Sequence, residues 1–212
     1  GSTIKDLGVV NVNITGADRA GGLAGWIKSN TTINNCYTTG NITGDSYVGG
    51  LVGAADDSSS VNNCYSTSSV NVNGNNVGGL VGYNKFSSVS NCYSTGSVVS
   101  SEGIRIGGLV GWSYGGSISN CYSIGNVTGD YIGGIIGFGS GGYAVSSLFW
   151  NIDDFSTDNG IGTGITTMEM MDAYTFCFAG WDFEEDENGN DNGTTGGTSG
   201  NGTDNWWDMV QD

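Results

Sequence analysis

Four of the five cysteines, Cys36, Cys64, Cys92 and Cys121, recur at intervals of 28, 28 and 29 residues, each inside an Asn-Cys-Tyr triplet. Thiols at such spacing could close disulfides, hold a soft metal or pack as small hydrophobes. The same slot holds Leu7 before the first triplet and Leu148 after the last, so it asks for an apolar side chain. Cysteines on adjacent parallel strands also present their Cβ atoms side by side, a poor disulfide geometry. The expectation is a column of reduced, buried thiols, with a disulfide or a cysteine-only metal site as the alternative. Cys177 lies outside the column. The chain has no histidine, which excludes a Ser-His-Asp triad, a Cys-His pair and a His-bearing zinc site.

Two aromatic columns keep the same period. Tyr37, Tyr65, Tyr93, Tyr122 and Phe149 each follow the cysteine slot, and Trp26, Tyr83, Trp112 and Phe138 each follow a glycine box, with Ala54 as the exception. If cysteine points inward, strand alternation sends the next residue outward. An outward aromatic ladder could stack on sugar rings or on a neighbouring domain. Trp26, Tyr83, Trp112, Tyr65, Tyr93 and Tyr122 are therefore the candidate ligand-binding residues. The plainer reading is that the rings pack on one another. A third feature lies in the acidic, Gly- and Asn-rich run 184–205. There Asp186, Asn188, Asn190 and Asp191 supply oxygen ligands in the manner of a calcium loop. Asp191 stands where an EF-hand has glycine, so any Ca²⁺ affinity should be weak; a solvated loop is the alternative.

The elements that must position these residues follow from the repeat itself. The string Gly-Gly-(Leu/Ile)-(Val/Ala/Ile)-Gly starts at Gly21, Gly49, Gly78, Gly107 and Gly133, at spacings of 28, 29, 29 and 26. Aligned units give three apolar columns: Ile4, Ile33, Val61, Val89, Ile118, Val145; Ile14, Ile42, Val70, Val98, Val127; and Leu23, Leu51, Leu80, Leu109, Ile135. Each unit is too short and too Gly-rich to bury a core alone. Its β-branched runs, separated by Gly, Asn and Ser, read as strands and turns. Stacking would merge each column into a buried row. The expected fold is all-β: a parallel β-solenoid of five to six coils of about 28 residues over 1–150, with handedness left open. Asn35, Asn63, Asn91 and Asn120 should form a bend with amides bonded between coils. After 150 the period fails, and 151–212 reads as a C-terminal cap. Thr166 and Glu169 form a capping box for a short helix over roughly 167–174. Met168, Met171, Tyr174 and Phe176 would lie on the last coil, and Trp206-Trp207-Asp208-Met209 would return to the cap.

Charge narrows the partners. Five basic and seven acidic residues precede position 151, and fourteen acidic residues follow it. Such a surface repels nucleic acid and anionic lipid, and no apolar run is long enough to insert into a membrane. Gly1-Ser2 reads as a cloning scar, which makes the chain a piece of a larger protein whose further repeats would be its neighbours. Asn-x-Ser/Thr sequons permit glycosylation without indicating it.

The glycine boxes within Tyr-Ser-Thr-Gly…Val-Gly-Gly-Leu-Val-Gly units resemble the GLUG repeat, over about 4–150. The resemblance continues through Phe149-Trp150-Asn151, Thr166-Thr167-Met168-Glu169-Met170 and Ala179-Gly180-Trp181-Asp182-Phe183. It implies a secreted or surface protein of adhesin type. The repeat also occurs in immunoglobulin A-cleaving peptidases, outside their catalytic part. The implied role is a non-enzymatic extracellular or cell-surface module, a stalk or a ligand-binding domain, with a glycan or a host or neighbour-cell surface protein as partner. Two other functions are compatible with a β-solenoid. A carbohydrate-active enzyme would need convergent carboxylates, and the acids of the repeats form no column except Asp45 with Asp130, in corresponding turns two or more coils apart. Ice or surface binding would use the hydroxyls of Thr39, Thr67 and Thr95, a row that Ile124 interrupts.

Overall fold

The computed structural model describes residues 1–153, 159 and 161–171. The chain divides into two compact units, Gly1–Thr167 and Met168–Asp212. The first is a parallel β-solenoid of about five coils, each contributing to three parallel sheets.

The longest sheet stacks Thr3–Thr15, Thr32–Gly44, Ser60–Ser66, Ser88–Ser94, Ser117–Ser123, Ala144–Asn151 and Thr163–Ile165, with Ser69–Val72, Val98–Ser100 and Val127–Thr128 continuing beside them. The second stacks Val48–Gly49, Val77–Gly78, Ile106–Gly107 and Ile132–Gly133. The third stacks Ala24–Ile27, Val52–Ala55, Val81–Lys85, Val110–Tyr114 and Ile136–Ser140.

The expected columns are rows of this stack. Ile4, Ile33, Val61, Val89, Ile118 and Val145 pair successively. So do Ile14, Ile42, Val70, Val98 and Val127. The Leu23, Leu51, Leu80, Leu109 and Ile135 row is tied by amide-to-carbonyl bonds from each coil to the next, at 2.9–3.0 Å. The interior members are buried, whereas Leu7 and Val145, at opposite ends of their rows, are exposed. Not every row end is open, since Val127, Ile135 and Leu148 end their rows and are buried. Cys36, Cys64, Cys92 and Cys121 are free, buried thiols. Each bonds the carbonyl two residues earlier, at 3.2, 2.9, 3.1 and 3.0 Å.

The carbonyl two residues back is within reach because the backbone bends at the intervening asparagine. Asn35, Asn63, Asn91 and Asn120 hold φ of 52°, 52°, 52° and 51°, the left-handed region that asparagine tolerates best among residues with a side chain. Their amides form the expected ladder: Asn120 donates to Asn91 and Asn91 to Asn63, both at 3.1 Å. At the N-terminal end the ladder shifts, because Asn35 donates to Asp6 at 2.8 Å and Asn63 reaches Asn34 at 3.3 Å.

The glycine box answers a packing demand that spacing alone does not reveal. A Cβ on Gly50, Gly79 or Gly108 would overlap the hydroxyl of Ser66, Ser94 or Ser123 and the carbonyl of the next coil's glycine. The sheets approach too closely there for any side chain. The serine row is also how the C-terminal end is closed. Thr38, Ser66, Ser94 and Ser123 are followed in register by Trp150, whose indole occupies the space a Cβ on Gly134 would need.

The parallel ladder does not stop at 150. Phe149, Trp150 and Asn151 pair with Thr163, Gly164 and Ile165. A helix begins at Thr167 as expected and runs over Thr167–Met170; residues 172–174 lie outside the described residues. The Asp153 carboxylate accepts the Thr167 N–H at 2.9 Å, and hydrogen bonds from the Thr167 backbone and hydroxyl hold its pKa below the usual aspartate value. Met168 and Met171 are exposed rather than covering a coil, and Met170 is the buried methionine of this turn. At about 100° per residue, 168 and 171 share one helix face and 170 takes another, so the face expected to be covered is the exposed one. Tyr174, Phe176, Cys177 and Trp206–Met209 lie outside the described residues.

Candidate functional site

The third sheet carries one row of large aromatic side chains. Trp26, Ala54, Tyr83, Trp112 and Phe138 pair in register from coil to coil. Trp112 leaves the core between Val110 and Ser113, which are both fully buried. Beside it runs a second row that the columns above do not include: Arg19, Tyr47, Asn76, Arg105 and Tyr131. Each stands two residues before the first glycine of its box and holds a left-handed φ between 53° and 66°. The corner makes every side chain of this row project at the same place.

The two rows interlock. The Arg19 guanidinium lies 4.8 Å from the Trp26 ring and 5.3 Å from the Tyr47 ring. Arg105 lies 4.4 Å from Trp112 and 5.3 Å from Phe138, the ring of the next coil. Tyr83 packs at 4.6 Å on Trp112 and at 5.6 Å edge-on to Tyr47. Arginine over aromatic faces is attracted by the ring quadrupole. Ala54 leaves no hole, because it is itself fully buried. The Trp26 indole N–H donates to Asp56 at 2.9 Å, with the Lys28 ammonium 4.5 Å over the ring. Lys85 stands 4.0 Å from the other Asp56 oxygen. Burial, helped by the charge of Asp56 and by Tyr47, pushes the Tyr83 phenol up to about 12.

At the C-terminal end of the strip the surface becomes concave. Arg105, Tyr131, Phe138, Tyr143, Asn159 and Ile161 line a cleft of about 550 Å³. Phe138 is 44 % and Tyr131 81 % exposed. Asn159 fixes one wall: its amide donates to the carbonyls of Ile136 and Gly137 at 2.6 and 2.7 Å, and its oxygen accepts the Ile161 N–H at 3.1 Å.

The six residues expected to bind ligand fall on two different sheets. Trp26, Tyr83 and Trp112 belong to the strip. Tyr65, Tyr93 and Tyr122 belong to the long sheet, where they stack with Tyr37 at 4.8, 4.8 and 4.9 Å, with interplanar angles of 1–4°. Their faces are taken by one another, and Tyr93 is only 3 % exposed. Burial raises the pKa of all three phenols, each helped by the tyrosine below it. The calcium candidates Asp186, Asn188, Asn190 and Asp191 lie outside the described residues. Among the described residues no group of three His, Cys, Asp or Glu side chains is placed to hold a metal. The corner row could have been found from sequence as the residue two before each box. Asn159 and Ile161 could not, because they lie where the period lapses, and Tyr143 stands where the preceding coil has Gly116, so no column announces it.

One family matches the chain, the GLUG motif, at residues 44–71, 73–99 and 102–128. Each match contains one corner residue, one glycine box and one Asn-Cys-Tyr triplet. The chain carries three GLUG repeats. The GLUG coils extend beyond the matched segments on both sides, since the boxes at Gly21 and Gly133 join the same sheet. No curated protein and no solved structure matches the chain. The rows shared by the GLUG coils are interior and repetitive, whereas the side chains on the strip differ from coil to coil. That is the arrangement of a repeat module with a common scaffold and a surface that varies.

Proposed function

We propose that this chain is a non-enzymatic, adhesin-like module of a cell-surface or secreted protein, and that it binds a glycan along the aromatic and arginine strip. The observation that carries this reading is the two-row register: aromatic rings held at successive coils by arginines and edge contacts. Rings locked in this way offer what remains exposed of them, chiefly on Trp26 and Phe138, at little entropic cost on binding, and a row at coil spacing suits an extended ligand. The scaffold adds few charges to compete for water. Further repeats of the same parent chain and surface proteins of other cells are the companion partners of this reading.

The test is a glycan array followed by calorimetry on the best hit. Binding without product release, weakened about tenfold or more in Trp112→Ala with the circular dichroism spectrum unchanged, is the expected result. Trp112 is chosen because its ring packs on Tyr83 and Arg105, and its indole N–H donates to Ser140 at 3.0 Å. An array with no hits, or hits indifferent to Trp112, would remove the strip from the account. Released product would make the protein an enzyme.

A further inference from the structure

We infer that the cleft at the C-terminal end of the strip is an acidic-sugar subsite, in which Arg105 takes the carboxylate of a uronic acid unit. This inference rests on the glycan-binding reading and names the chemistry of one part of it. The first observation is the state of Arg105. Its guanidinium lies against Trp112 and Phe138, and its hydrogen bond among the described residues is a 3.4 Å contact to the Asn76 side chain. Among the described residues it forms no ion pair; those present are Lys5 with Asp6 and Lys85 with Asp56. An arginine stacked on rings keeps its planar face covered and its N–H edge free, and that edge matches a carboxylate in bidentate fashion.

The second observation is the cleft around it. None of the described residues lining it is acidic, and the exposed rings of Tyr131 and Phe138, with the half-buried ring of Tyr143, form aromatic walls. Its volume of about 550 Å³ falls within the range of small-ligand sites and has room for one or two sugar units. Rings receive the apolar face of a pyranose, and the cation receives its charge. The other strip arginine lacks this setting: Arg19 lies against Trp26 and Tyr47, and no residue of its coil lines the cleft. The site is therefore a property of the last coils, not of the repeat.

The column supplies its own conservative variant. Asn76 occupies the equivalent left-handed corner one coil earlier, with φ 61° against 66° for Arg105. Arg105→Asn should therefore fold, and Lys5→Gln is the control that removes one positive charge from an exposed side chain outside the strip. The probes are a trigalacturonate, the neutral galactose trisaccharide of the same length, and inorganic sulfate, each titrated by calorimetry into the full chain. The expected result is that trigalacturonate binds better than the neutral sugar. Its affinity should fall at least ~10-fold in Arg105→Asn, be little changed in Lys5→Gln, and weaken with added salt. Equal binding of the two sugars, or loss of the acidic sugar in both variants alike, overturns the subsite while leaving the strip as a glycan surface. Sulfate binding as tightly as the trisaccharide shows an anion site with no sugar recognition and also overturns it. Binding of neither sugar, with no hit on the glycan array, removes the underlying reading as well.

Discussion

Replacing Asn91 separates two contributions that the stack combines. Asn91 holds φ 52° and sits mid-ladder, donating to Asn63 and accepting from Asn120, both at 3.1 Å. Asn91→Ala removes both amide bonds, each worth roughly 0.5–1.5 kcal/mol net. It also places an ordinary L-residue in the left-handed region, at a cost of about 1–2 kcal/mol. The expected loss of unfolding free energy is then about 2–4 kcal/mol, allowing for the partial exposure of the ladder. Asn91→Gly removes the same two bonds but meets no steric penalty at positive φ. Its own cost is the extra freedom of glycine in the unfolded chain, about 0.5–1 kcal/mol. Alanine should therefore be the worse substitution by about 0.5–1 kcal/mol, reversing the usual order of the two residues. Urea unfolding followed by circular dichroism and tyrosine fluorescence, with midpoint and slope fitted separately, measures both variants. If Asn91→Ala is as stable as Asn91→Gly or more so, the bend is not the constraint and the explanation of the asparagine row fails.

Gly79→Ala should cost about 3 kcal/mol or more, or leave the chain insoluble, because the new Cβ would overlap the Gly108 carbonyl and the Ser94 hydroxyl; a thermal melt within a degree or two of the parent would contradict the close sheet approach. The column thiols should be unreactive toward a disulfide reagent until the protein is unfolded, read in a Cys177→Ser background, since all four are buried. The pH dependence of stability follows from the same burial. The Cys64 thiol is raised mainly by its neighbour Cys92 and then by burial, and Cys92 is raised mainly by burial. The folded state therefore keeps protons that the unfolded chain releases, so this stability is complete below the ordinary thiol pKa and declines above it. The decline should reach about 1.4 kcal/mol per pH unit for each of the two, and a Cys64→Ala, Cys92→Ala double variant should flatten it. The acidic run around Asp186–Asp191 predicts a small heat on titration with millimolar calcium; no heat at that concentration takes the ion out of the account.

The sequence alone determined the stack. Two strings locked to one period of 28 or so residues placed Ile33 on Val61 and Cys64 on Cys92, because only that register keeps every apolar column on the buried face and every asparagine at the bend. The slot occupied by Leu7 and Leu148 at its ends announced a buried thiol row, and asparagine announced the bend. Local chemistry was sufficient there, since each of these features is decided within one unit and repeated. The surface was decided by tertiary structure. Arg105 and Phe138 are far apart in sequence and belong to different columns, and only the corner conformation brings the guanidinium over a ring of the following coil. The gap at Ala54 lies in register between Trp26 and Tyr83 and is itself fully buried. The cleft depends on Asn159, which reaches back to the carbonyls of Ile136 and Gly137. A period reports what every coil has in common, and a binding surface is made from what one coil does not share with the next.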